Sequence, residues 1–284
     1  MKALSFFALA FLFSGAAFGQ SSQSIAPQTV DIPSGTLHLK AFLWKPAGPG
    51  PFPVVLFNHG SGGADAAHTA GMPITEAAEK LAPLFLKHGY AFLYLFRRGQ
   101  GLSADQAPFM QDLLQREEDA HGKEARQHLH FILVTGDQLD DVAAALSFLK
   151  TKPGIDAKRI AIAGHSFGGI LTLLTAERDT SVRAEVTFAA VANSWQRSPE
   201  LRERLLVAVR KTSAPIMLIH AANDYDTTPG TALAAELDRL HKPHLLKIYP
   251  PVGQSTDEGH NFLYLAIPQW EPDVFKFLDE YVRR

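Results

Sequence analysis

From Val54 onward the chain alternates short apolar or β-branched runs with stretches whose apolar residues recur every three and four positions. No other feature restricts the fold so tightly. The runs are Val54–Asn58, Ala91–Phe96, Ile160–Ala163, Ala184–Val191, Ile216–His220 and Leu245–Tyr249. The helical patterns are Ile74–His88, Asp137–Lys150, Phe167–Ala176, Pro199–Lys211, Thr231–His241 and Glu271–Val282, several opening beside Pro, Asp or Thr. Such alternation predicts an α/β fold, a mostly parallel sheet with helices on both faces. Two earlier runs, Thr29–Ile32 and Leu37–Trp44, join through the turn signal Pro33-Ser34-Gly35. They are expected as an antiparallel hairpin at the sheet edge, bringing the sheet to eight strands.

No repeat of fixed period and no linker divides the chain, so residues 20–284 are expected to form a single domain. One segment breaks the alternation. Between Phe96 and Asp137 lie about forty residues, where a strand-to-helix connection usually takes ~2 to 6. Its charged, His-bearing middle, Met110 to Val134, has helical spacing. A lid-like insertion over about residues 104–136, covering the carboxyl edge of the sheet, is the expectation.

Lys2, the apolar run Ala3 to Phe13, and small residues with Ala17 and Gly19 at the −3 and −1 positions of a cut before Gln20 read as a signal peptide over residues 1–19. The run is shorter than the ~18 to 20 apolar residues that span a bilayer, so export to the periplasm or medium is expected, with no stable membrane insertion after processing. The chain has no cysteine. That removes disulfides, thiolate metal sites, a cysteine nucleophile and lipid attachment after the apolar run. Lys+Arg 27 against Asp+Glu 29 gives a net charge of −2, without the positive surplus a nucleic-acid partner requires.

Gly164-His165-Ser166-Phe167-Gly168 lies between the run ending at Ala163 and the helical pattern starting at Phe167. The pentapeptide alone arises by chance in about one chain in twelve of this composition. Its strand–turn–helix setting is what a nucleophile elbow needs. Glycine at 164 and 168 leaves room for a sharp, strained turn that a Cβ would obstruct, and Gly169 lets the helix approach the sheet. The competing reading is a glycine-rich helix start that holds a phosphate.

A serine hydroxyl needs a base to take its proton, with a carboxylate behind that base. In an elbow of this kind the order along the chain is serine, acid, histidine. Asp224 follows the strand Ile216–His220, and His260 lies in Asp257-Glu258-Gly259-His260-Asn261 after the last strand. Both sit beyond carboxyl ends of strands, where open α/β sheets bind ligands. Asp226 is the rival acid, with turn hydrogen bonding ahead of Thr227-Thr228-Pro229 as its other role. His241 and His244 bracket a tight connection. His128 and His130 form an H-x-H pair that could bind metal, but no carboxylate stands in register, and neither metal nor cofactor is expected. His165 is expected to pack or hydrogen-bond locally.

Charge developing on a substrate oxygen needs preorganised donors. The Phe167 N–H, at a helix start, is one. The second is expected from the turn Asn58-His59-Gly60-Ser61-Gly62-Gly63, at Ser61 N–H with Gly62 as the alternative. Arg97 and Arg98 are expected to brace the neighbouring loop by ion pairs. Trp195 and Tyr225 are candidates for lining a pocket.

Taken in order, His59-Gly60-Ser61-Gly62-Gly63, Arg98-Gly99-Gln100-Gly101, Gly164-His165-Ser166-Phe167-Gly168-Gly169, the Asp224 loop and Glu258-Gly259-His260 resemble the α/β-hydrolase superfamily. The similarity is to its dienelactone hydrolase and prolyl-oligopeptidase-like branches and covers the whole mature chain. It implies the α/β-hydrolase fold, with nucleophile, acid and base at Ser166, Asp224 and His260 and oxyanion donors at Phe167 and Ser61. The dienelactone prototype has cysteine where this chain has Ser166, and prolyl oligopeptidases carry a propeller domain that this chain lacks. The expectation is an exported, carboxylesterase-like serine hydrolase acting on a small-molecule ester. The alternatives are a serine peptidase or amidase, or a non-catalytic binding protein on the same scaffold. The sequence does not reveal the oligomeric state.

Overall fold

A computed structural model of the protein describes residues 26–61 and 73–283. The expected signal segment 1–19, and Gly62 and Gly63, lie outside the described residues. Strands β1 (Gln28–Ser34), β2 (Leu37–Trp44), β3 (Phe52–Asn58), β4 (Ala91–Leu95), β5 (Ile155–His165), β6 (Val182–Phe188), β7 (Ile216–Ala221) and β8 (His244–Tyr249) form an 8-stranded sheet in the order β1-β2-β4-β3-β5-β6-β7-β8. β1 and β2 pair antiparallel, as do β2 and β4. The remaining pairs are parallel. This is the α/β-hydrolase architecture with the expected edge hairpin. Pro33 and Ser34 belong to β1, and the turn is Gly35-Thr36, with Gly35 left-handed at φ 59°.

Side chains alternate across the pleat, and the two faces of the sheet differ in kind. Val54 and Leu56 of β3 point toward α4 (Asp137–Thr151), α5 (Phe167–Arg178), α6 (Pro199–Lys211) and α7 (Thr228–Arg239), a mainly aliphatic layer. Val55 and Phe57 point the other way. There α1 (Ile74–Lys87), α9 (Phe262–Leu265) and α10 (Ile267–Val282) close an aromatic-rich layer that includes Phe85, Phe92, Trp270 and Phe275. β4 and residues 52–57 of β3 are therefore apolar at every position, as a strand covered on both sides requires.

Several expected boundaries shift, among them the start of β5, at Ile155 rather than Ile160. The run Ala184–Val191 ends as a strand at Phe188, because Ala189 (φ 52°) and Val191 (φ 63°) turn the backbone left-handed. α7 starts at Thr228, three residues before the expected Thr231, with Pro229 in its first turn. α10 starts at Ile267 rather than Glu271 and carries Pro272 inside it. The segment after β4 holds a 3-10 turn (Gly101–Gln106), α2 (Met110–His121) and α3 (Lys123–Thr135), the two helices joined at Gly122 with φ 89°. Of these helices only Met110, Leu114 and Val134 are buried.

Candidate active site

β5 runs straight into the elbow. Ser166 has φ 53° and ψ −115°, a conformation that costs a non-glycine residue ~1 to 3 kcal/mol and persists only where its surroundings enforce it. Its N–H donates to Phe188 O at 2.8 Å. A Cβ on Gly164 would fall 2.3 Å from Gly168 O, and one on Gly168 only 1.9 Å from Asn58 O. Glycine at 164 and 168 is thus a steric requirement of β5, α5 and β3 converging on one bend.

The Ser166 Oγ–H donates to His260 Nε2 at 2.8 Å, and His260 Nδ1 donates to Asp224 Oδ1 at 2.6 Å. The structure brings together the three side chains singled out in the sequence, from loops after β5, β7 and β8. Burial pushes the Asp224 carboxyl up, but hydrogen bonds from His220 and then His260 outweigh it and hold Asp224 well below the usual carboxylate range. An ionised carboxylate only accepts, so both imidazoles present Nδ1–H to it, and the neutral His260 ring offers a bare Nε2 to the serine.

The acid turn and the histidine loop are tied together. Asn223 Nδ2 donates to Val252 O at 2.9 Å and Ser255 O at 2.8 Å, while Asn223 Oδ1 accepts from Val252 N at 2.9 Å. A Cβ on Gly259 would come within 2.3 Å of Asn223 O, so that glycine allows the two loops to touch. Ser255 and Glu258 form a capping box at the start of α8 (Thr256–His260), the short helix that presents His260. The Tyr225 ring lies 4.6 Å from the His260 ring, and its hydroxyl contacts Asp257.

His165 Nε2 donates to His260 O at 2.8 Å, the local bonding expected of it. Burial, then the neighbouring His260, push its pKa down to about 3, so it stays neutral. Asp226 turns away, accepting from Thr228 N at 2.8 Å and Gln196 Nε2 at 3.2 Å. Arg97 braces the turn after β3 through carbonyls rather than the expected ion pairs, donating to His59 O at 2.8 Å and Gly60 O at 2.9 Å. Arg98 does ion-pair, but with Asp137 and Asp141 at the start of α4. His128 faces Glu200, whereas His130 packs against Phe167. Residues two apart on a helix point to different sides, so this H-x-H pair diverges.

A cavity of about 460 Å³ opens on the relay, lined by Gly60, Ser61, Phe109, Ser166, Tyr225 and His260. Phe167 leads α5, where the first amides have no acceptor inside the helix. Ser61 lines the cavity, and Gly62 lies outside the described residues. Phe109 and Gln111 bring the inserted segment to the cavity wall. Trp195 does not line this cavity; it is 3% exposed and packs in the aliphatic layer. Sequence reasoning missed His220, whose Nδ1 meets Asp224 Oδ2 at 2.8 Å, and the Asn223 clamp.

The profile of the dienelactone hydrolase family matches residues 39–263. The quorum-quenching protein AidA of Acinetobacter baumannii is 28% identical over 162 residues, 57% of this chain and 43% of that protein. The polyketide transferase grgF of a Penicillium species is 28% identical over 183 residues, 61% of this chain and 54% of its own. The match thus spans about half the length of these curated relatives. Among solved structures, Pyrococcus horikoshii acylaminoacyl peptidase superposes with a TM-score of 0.66 at 18% identity, over 93% of this chain and 43% of that one. Dienelactone hydrolase of Anabaena variabilis gives 0.59 at 20%, over 91% of this chain and 100% of that one. At these identities the structures share the fold.

Proposed function

The chain belongs to the dienelactone hydrolase family, and we propose that it is an exported serine hydrolase that cleaves carboxylic esters through an acyl-enzyme. The observation that carries this reading is the unbroken relay of 2.8 Å and 2.6 Å from the Ser166 hydroxyl through His260 to an ionised Asp224. His260 Nε2 takes the serine proton as Oγ attacks the ester carbonyl, and Asp224 stabilises the imidazolium that forms. The Phe167 and Ser61 amides hold the oxyanion. Collapse expels the alcohol, which takes the proton from His260. Water then attacks the acyl-enzyme through the same relay and releases the acid and free Ser166. Neither step calls for a metal or a cofactor.

The 460 Å³ cavity suits a small-molecule ester. Residues 1–19 serve as an export signal, so the mature protein begins at Gln20 and works in the periplasm or outside the cell. Ser166→Ala tests the mechanism on short-chain aryl esters, with matched anilides run beside them. The expected result is a rate loss of at least ~10³-fold with an unchanged circular dichroism spectrum. Equal turnover by the variant would overturn the reading. Faster cleavage of the anilides would replace esterase by amidase.

A further inference from the structure

His220 stands outside the serine–imidazole–carboxylate relay yet touches its far end. It is the next-to-last residue of β7, only 1% exposed, and its Nδ1 donates to Asp224 Oδ2 at 2.8 Å. The other oxygen, Oδ1, accepts from His260 Nδ1 at 2.6 Å and from Tyr225 N at 2.8 Å. A carboxyl group turns about its Cβ–Cγ bond in a broad two-fold well, so anchoring one oxygen alone leaves the plane free to swing. With each oxygen on a different imidazole, the plane is fixed and Oδ1 stays aimed at His260.

A second observation bears on the same ring. Gly230 lies in the first turn of α7, where a Cβ would come 2.8 Å from His220 Cδ2 and 3.0 Å from Nε2. Gly230 is not among the glycines with positive φ, and glycine weakens a helix relative to alanine. The residue is therefore explained by the room it leaves for His220. Of titratable groups, Asp224 and Asp226 face this imidazole from the turn after β7, while α7 brings Gly230 against it. The hydrogen bonds from His220 and His260 together keep Asp224 ionised against its burial.

We propose that His220 is a positioning residue for ester hydrolysis, locking the Asp224 carboxylate in the orientation that His260 needs while making no contact with substrate. The assignment rests on reading Ser166, His260 and Asp224 as the reacting relay. It also accounts for a histidine buried at the end of a strand otherwise made of apolar residues.

The test compares His220→Phe, His220→Gln and Gly230→Ala with the wild type and Ser166→Ala, measuring aryl-ester turnover across pH. His220→Phe is expected to lower kcat about 10- to 100-fold with KM unchanged, since a hydrogen bond to a charged group is lost away from the substrate. His220→Gln, whose amide N–H reaches the same oxygen, should recover most of that loss. Gly230→Ala, which displaces the ring without removing it, should lose several-fold. Without the His220 hydrogen bond the Asp224 carboxylate concentrates its charge on His260 and favours the imidazolium, so the acid limb of the kcat profile moves to higher pH in His220→Phe and stays in place in His220→Gln. A histidine that merely packs would alter thermal stability and leave kcat and that limb where they are. A kcat for His220→Phe within twofold of wild type, with an unmoved limb, overturns the proposal. If His220→Phe fails to fold, Gly230→Ala decides by the same two readouts. Should Ser166→Ala hydrolyse esters at the wild-type rate, the relay reading itself has failed. The low-field proton resonance of His260 Nδ1–H then judges the His220 contact alone: a shift on removing His220 supports it, and an unchanged signal overturns it.

Discussion

Two buried carboxyls, one within β6 and one beyond the end of β7, take different charge states. Glu185 lies near the amino end of the β6–β7 pair, beside Ile216, and Asp224 lies beyond the carboxyl end of β7. Asp224 has a donor on each oxygen and is held ionised. Glu185 is fully buried with one donor, Thr212 Oγ1 at 2.7 Å on Oε1, and its Oε2 meets no partner. Burial pushes its pKa well above the ordinary value, and neither the Thr212 bond nor the nearby Lys242 charge reverses that. Burial pushes both carboxyls toward the protonated form, and the hydrogen-bond donors aimed at their oxygens make the difference: Asp224 has one on each oxygen, Glu185 on one alone.

The sharpest way to break this contrast is Asp224→Asn, which keeps the shape but removes the charge and puts an amide where two Nδ1–H groups expect acceptors. The expected loss in kcat is about 10⁴-fold. Ester kinetics on folded variant would refute the charged role of Asp224 if the loss stayed under tenfold. Next comes Glu185→Gln. Glu185 keeps its proton in the folded protein, whereas in the unfolded chain it ionises above the ordinary carboxyl range. Wild-type stability therefore falls as pH rises through that range, by up to about 1.4 kcal/mol per unit from this group. The glutamine variant escapes that loss, so its advantage in chemical denaturation should be negligible near pH 4 and grow toward pH 8. A gap that does not change with pH would show Glu185 to be ionised after all. The smallest effect is expected at Asp226→Asn: its oxygens serve Thr228 and Gln196, so kcat should stay within about twofold and stability within ~0.5 kcal/mol. A tenfold fall in kcat would move the acid role from Asp224 to Asp226.

The residues that were readable in the sequence are those whose identity is dictated by backbone or bond order. Gly164, Ser166 and Gly168 mark the elbow because only glycine fits against Gly168 O and Asn58 O. Asp224 and His260 follow from their places after β7 and β8. What escaped depends on contacts with no local signature. His220 reads as one more residue of an apolar run, and only the turn after Ala221, with Asp224 N donating back to Ala221 O at 3.0 Å, folds the carboxylate onto it. The end of β6 was overrun because residues 189–191 continue the apolar run, whereas the backbone turns left-handed at Ala189 and Val191. Pro272 hid the first turn of α10, because a proline inside a helical pattern reads as a boundary.

Asn223 gives the site its mechanics. By grasping Val252 and Ser255 it welds the acid turn to the loop that carries the imidazole, so the two travel as one rigid arm. His165, at the bend holding the hydroxyl, reaches across to the same arm through His260 O at 2.8 Å, so the three loops that carry the relay are stitched to one another by bonds that take no part in it.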